Sequence, residues 1–241
     1  MCTLTWWRGE EGSFEVFFNR DEKKTRAQAE KPRLYEVAGT KFLSPRDPDG
    51  GGTWMLGNEH GVVLCLLNRW HEEEGGGRAW LSRGQLVWGL AGAKSARSAV
   101  EALESFDLSQ RKPFALWAFD EESVLGVDWS GGVLAAAEER MPVTSSSHCF
   151  QEVSAARKEC FARISPSDPE ELQRYHESAG AESSALTVRM CRADAQTMSR
   201  SRVRVDGREV WWEYREEQPD LAGVSGKVVV SLCRGDQARD F

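Results

Sequence analysis

The chain has 241 residues, 40% of them hydrophobic and 29% charged, a balance that excludes a disordered polymer and suits one folded domain. No apolar run approaches the roughly 18–20 residues of a membrane-spanning helix, so no stable membrane insertion is expected. With 31 Lys and Arg against 38 Asp and Glu, the net charge of −7 repels phosphate backbones; no basic stripe offsets it, and no nucleic acid partner is expected.

In chain order, Cys2–Arg8 and Phe14–Asn19 flank a Glu10-Glu11-Gly12 turn and predict an antiparallel hairpin. Lys23–Lys31 is charged and reads as a solvated excursion. Asp47-Pro48-Asp49 followed by Gly50, Gly51 and Gly52 is a strong loop, and Trp54–Leu56 with Val62–Leu67 predicts a second hairpin across Gly57–Gly61. Arg83–Leu90 and Ser95–Phe106 carry apolar residues at helical spacing, with Ser95 or Ser98 as a cap and Ser82-Arg83-Gly84 as a helix start. Strands follow at Phe114–Phe119, Val124–Trp129 and Val133–Ala137, then helices at Val153–Ile164 and Pro169–Ser178, the second opened by Asp168-Pro169. Thr197–Val205, Glu209–Tyr214 and Lys227–Cys233 return to strand, with Arg200, Arg202 and Arg204 on one face of the first. The order of strands, helices, strands, helices and strands, with no linker or repeat, predicts one layered α+β domain over 1–241.

The amino-terminal segment has no basic stretch followed by an apolar core, so no secretory signal is expected. The six cysteines are scattered, which reads as free thiols in a reducing cytoplasm. The four histidines form no closely spaced ligand pair with them, so neither a metal nor another cofactor is expected. His60 and His71 are loop residues that could bind a metal or haem iron, but exposed loop histidines commonly do neither. A Ser-His-Asp triad, a nucleophile elbow, a P-loop and a dinucleotide fingerprint find no support in the spacing. Ten tryptophans suit either a large core or an aromatic-lined cavity.

The residue types with chemical potential lie at the start. Removal of Met1 would leave Cys2 with a nucleophile and a base on one residue, because an α-amine titrates near ~8 and can take the thiol proton. The plain alternative is a cysteine that happens to follow methionine. Asn19-Arg20-Asp21-Glu22 ends the strand expected to pair with Cys2–Arg8. There a carboxylate can orient the amine and a guanidinium can stabilise the thiolate; a surface ion pair is the alternative.

Met1-Cys2-Thr3 with Phe18-Asn19-Arg20-Asp21-Glu22 resembles the NRDE family, which includes transport-and-Golgi-organisation protein 2. The resemblance continues through Arg46-Asp47, Gly51-Gly52-Thr53-Trp54, Gly57-Asn58, Leu67-Asn68 and Ser82-Arg83-Gly84, and more weakly through Arg192–Ser199. That family in turn resembles the N-terminal nucleophile (Ntn) hydrolases of the bile-salt hydrolase and penicillin V acylase group. The resemblance implies a four-layer αββα sandwich of two antiparallel sheets flanked by helices. It implies Cys2 as nucleophile, Arg20 and Asp21 around it, and Asn68 in the oxyanion hole. Asn19, Asn58, Ser145, Ser146 and Arg192 are the further candidates for binding substrate. Two departures stand out. Arg20 and Asp21 are adjacent, so on a regular strand they face opposite ways. Serines, Ser145 and Ser146, stand where the hydrolases carry a second asparagine.

Two functions follow. The first is an Ntn-type cysteine hydrolase or acyltransferase acting on the C–N bond of a non-peptide linear amide, a small-molecule substrate. The second is a non-catalytic haem- or lipid-binding and trafficking protein on the same fold.

Overall fold

The computed structural model describes residues 2–69, 79–180, 184–217 and 226–235. Two antiparallel sheets lie face to face. The first contains β1 (Cys2–Arg8), β2 (Phe14–Lys23), β10 (Val143–Ser145), β11 (Ala195–Val205), β12 (Glu209–Glu216) and β13 (Lys227–Cys233), in the order β10-β1-β2-β11-β12-β13. The second runs β3-β4-β5-β6-β7-β8-β9. Its strands are β3 (Glu30–Val37), β4 (Thr40–Arg46), β5 (Met55–Asn58), β6 (Val63–Asn68), β7 (Phe114–Phe119), β8 (Val124–Trp129) and β9 (Leu134–Ala136). Helices α1 (Gly84–Gly89) and α2 (Ala96–Glu104) cover the second sheet, and α3 (Phe150–Phe161) and α4 (Pro169–Glu177) cover the first. The layering is the expected αββα sandwich.

Period-two alternation assigns each strand residue to a layer. On β1 and β2, Cys2, Leu4, Trp6, Phe14, Val16 and Phe18 point between the sheets, where they pack with Met55, Cys65, Trp117 and Trp212. The intervening Thr3, Thr5, Phe17, Asn19 and Asp21 point to α3 and α4 and meet Arg157 and His176. The outer face of the second sheet is apolar instead: Phe42, Leu56, Leu64, Leu66 and Leu116 pack on Leu86, Val87, Ala96, Ala99 and Leu103.

Local signals explain most boundaries. Ser95 caps α2, accepting from Ser98 N–H while the Ser98 hydroxyl answers the Ser95 backbone, so both predicted caps take part. Asp168 caps α4 ahead of Pro169. Arg200 and Arg202 share the helix-facing side of β11, as the alternation predicts, and reach Glu177 at 2.9 Å and Glu15 at 2.6 Å. Three features differ from expectation. Strand β2 continues past Asn19 to Lys23, and the solvated excursion shrinks because β3 begins at Glu30. The β3–β4 hairpin is half-exposed at a sheet edge, so its residues lack a clear apolar alternation. Strand β10 has only three residues and owes its existence to pairing with β1.

Candidate functional site

Strand β1 lies between two partners, and the register places Cys2 opposite Arg20 on β2 and opposite Ser145 on β10. Directly paired residues share a sheet face, so Arg20, Cys2 and Ser145 form one row facing the second sheet. At this end the sheets part around a cavity of about 340 Å³. Cys2, Arg20, Asn68, Arg83, Trp54 and Trp80 are among its lining residues, and Asp47, Asp49 and Gly50 stand at the same cavity.

Burial pushes the Cys2 thiol up from its ordinary value; Asp21 adds to the shift, and Arg20 opposes it. The sulphur is therefore a protonated thiol at neutral pH until a base acts on it. Cys65, buried behind it between the sheets, is raised further by burial. Arg20 is held from two sides: its guanidinium lies over the Trp54 ring at 4.4 Å from the centroid and 3.6 Å from the Glu22 carboxylate. The Ser145 hydroxyl is buried and has no hydrogen-bond partner among the described residues. Asn68, exposed, ends β6 on the other sheet and lines the same cavity.

Asp21 behaves as its position next to Arg20 dictates. Its carboxylate points to the helix side, 3.0 Å from the Arg157 guanidinium, and accepts a 2.7 Å bond from Thr197. Both partners of the ion pair are completely buried. Arg157 also donates to Thr3 Oγ1 at 2.5 Å. The pair thus clamps the backs of β1 and β2 at the two residues flanking the Cys2–Arg20 row, and it positions rather than touches the thiol.

Four of the sequence-predicted residues lie away from this centre. Asn19 faces α4, where its amide donates to the His176 and Val188 carbonyls and its oxygen meets His176 Nδ1 at 2.8 Å. Asn58 spends its side chain on structure: it donates to the Ala91 and Ala93 carbonyls and accepts from His60 and Val62 N–H. Ser146 bonds the His148 backbone at the start of α3. Arg192 pairs with Asp194 at 2.8 Å and lines a separate depression with His148. His71 falls outside the described residues.

The cavity also contains residues the sequence did not single out. Arg83 was read as a helix start within a family block and not as a cavity residue, and Arg26 lay in the presumed excursion; Arg26 pairs with Asp47 at 2.5 Å. The two glycine motifs explain each other. A Cβ on Gly52 would lie 2.3 Å from the Gly84 carbonyl carbon, and Thr53 N–H donates to Gly84 O, so the 47–53 and 82–84 segments meet backbone to backbone. That contact fixes Arg83 over the cavity. The tryptophans divide between both expected uses: Trp6, Trp117 and Trp212 fill the core, while Trp54 and Trp80 line the cavity.

Two face-packed antiparallel sheets between helix layers, with Cys2 on a strand of one sheet beside an inter-sheet cavity, have the layering of the Ntn-hydrolase fold. Solved structures agree. A cysteine-to-alanine mutant of the conjugated bile acid hydrolase of Clostridium perfringens superposes with a TM-score of 0.57 at 12% identity, covering 97% of this chain and 92% of that one. An N-acylethanolamine-hydrolyzing acid amidase ortholog of Caenorhabditis elegans gives a TM-score of 0.58 at 8% identity, over 84% of this chain and 92% of that one. Residues 1–131 match Transport and Golgi organisation 2, and the chain belongs to that family. No curated protein sequence matches it.

Proposed function

We propose that the protein is a cysteine amidohydrolase of the Ntn type, acting on the C–N bond of a non-peptide linear amide in the cytoplasm. The observation that carries this reading is the Arg20–Cys2–Ser145 row beside a cavity that Cys2, Arg20 and Asn68 all line. Once Met1 is removed, the α-amine of Cys2 is the base that the buried, protonated thiol lacks. The amine takes the thiol proton, and the sulphur attacks the carbonyl carbon. The Asn68 amide donates to the developing oxyanion, with Ser145 as a second donor. The C–N bond then breaks and the leaving amine takes the proton. Water attacks the thioester, gives its proton to the α-amine, and releases the acid and the thiol. Arg20 favours the thiolate, and the Asp21–Arg157 pair fixes the strands that carry the row.

A second reading keeps the cavity without the chemistry, as a carrier of haem or a lipid acyl group. The family description and the protonated thiol favour it. Mass spectrometry of the purified chain, followed by turnover of an N-acyl amide panel by the wild type, Cys2→Ala and Cys2→Ser, separates the two. Loss of Met1 and turnover abolished in both variants supports the hydrolase. Retained Met1 with no turnover, together with a Soret shift on haem titration, supports the carrier.

A further inference from the structure

The charges around the cavity do not cancel evenly. Arg20 has Glu22, and Arg26 has Asp47 at 2.5 Å, Asp49 at 3.7 Å and Glu22 at 3.8 Å. Arg83 differs. Its one hydrogen bond to a described residue runs from Nη1 to the Pro113 carbonyl at 2.8 Å, and among the described residues no carboxylate comes within 4 Å of it. A neutral carbonyl fixes the direction of a guanidinium but does not neutralise it. Burial pulls its pKa down to about 10, which leaves it fully cationic at neutral pH; Glu22 favours its charge from beyond contact distance and Arg26 opposes it. Trp54, on the same cavity and 7% exposed, has a buried indole N–H with no acceptor among the described residues. A partly buried guanidinium held by one arm, on the same cavity as an unused N–H donor, is complementary to an oxyanion. The backbone contact between Gly52 and Gly84 holds it in place, so little side-chain order is lost on binding.

We propose that Arg83 is the anchor for an anionic group on the substrate, so that the cavity selects amides bearing a carboxylate or phosphate near the scissile bond. Trp54, Leu66 and Trp80 supply apolar surface for the uncharged remainder. The proposal rests on the amidohydrolase reading for the word substrate, whereas the anion site itself does not need turnover.

The test is calorimetric titration of the full-length Cys2→Ala protein, in which no cleavage intervenes. Three ligands of equal chain length are compared: N-octanoylglycine, N-octanoylphosphoethanolamine and the neutral N-octanoylglycinamide. At least one anion is expected to bind about tenfold or more tightly than the neutral amide, and the tighter of the two identifies the group. The preference should collapse to about twofold or less in Arg83→Gln and recover in part in Arg83→Lys, which restores the charge without the fork. A thermal melt of each variant excludes misfolding as the cause, and Arg83→Lys keeps the charge test valid if Arg83→Gln does not fold. Equal affinity for all three ligands, no binding of any, or a preference that survives Arg83→Gln in a folded protein overturns the proposal. Failure of the hydrolase reading looks different: an Arg83-dependent anion preference in a protein whose wild type cleaves none of the amides.

Discussion

The ion pair behind Cys2 gives the sharpest stability prediction. In Arg157→Met the aliphatic bulk remains but the guanidinium goes. Asp21 loses its 3.0 Å partner, keeps the 2.7 Å bond from Thr197, and stays completely buried. Thr3 Oγ1 loses its donor as well. Stranding one charge of a buried pair costs about 3–5 kcal/mol. For a chain of this size that lowers the melting temperature by about 6–20 °C. The double variant with Asp21→Asn removes the stranded charge and should recover part of the loss, giving a coupling of about 2 kcal/mol or more. Urea unfolding followed by tryptophan fluorescence measures all three proteins. A loss below about 1 kcal/mol in Arg157→Met, the range of a solvated surface pair, or strict additivity in the double variant would refute the assignment.

Three further outcomes follow from the geometry. Gly52→Ala and Gly84→Ala each force a Cβ into backbone, at 2.3 Å from Gly84 and 2.8 Å from Thr53 respectively; each should cost about 1–3 kcal/mol in denaturant unfolding, whereas Gly132→Ala, with open space around it, should lose well under that. His176 is completely enclosed, and burial lowers its pKa to about 3 against an ordinary 6.5. The unfolded chain therefore binds the proton first as pH falls, so stability is full above about 6.5 and declines toward 3; His176 contributes about 2 kcal/mol of loss between pH 6.5 and 5, which His176→Gln should flatten in urea titrations at the two pH values. Asn68→Ala should lower kcat on a cleaved amide by about 10²–10³ while leaving folding intact, and an unchanged kcat would remove Asn68 from the oxyanion hole.

The fold was readable where one face of an element is apolar. Phe114–Phe119 and Val124–Trp129 carry their hydrophobic residues in unbroken or alternating runs, and the structure reproduces those bounds. It was unreadable where tertiary pairing, not local pattern, makes the element. Strand β10 contributes three residues and a serine opposite Cys2, and no local signal marks it. The candidate site divides in the same way. Cys2 and Arg20 could be brought together from the hairpin register alone. Asn19 could not be removed from the list, because its engagement depends on His176, 157 residues away. Arg157 sits four residues after Val153, the spacing of one helix face, yet that spacing cannot reveal that the face is buried on a carboxylate. Arg83 hid for another reason: a residue opening a helix satisfies the local pattern and leaves nothing to explain.

The two helix layers adhere to their sheets by different physics. One side is bonded from Thr3, Thr5, Asn19 and Asp21 to Arg157 and His176, and from Arg200 and Arg202 to Glu177 and Glu170; the other is apolar contact between Leu56, Leu64, Leu116 and Leu86, Val87, Leu103. Directional bonds fix α3 and α4 in one register, and the pair made by the His176 ring to Thr5 and Asn19 must rearrange when that ring takes a proton. Apolar burial tolerates sliding and ignores acid. The molecule is thus divided into a precise half and an adhesive half. In mild acid, opening should begin in the precise half, behind Cys2, while α1 and α2 stay seated.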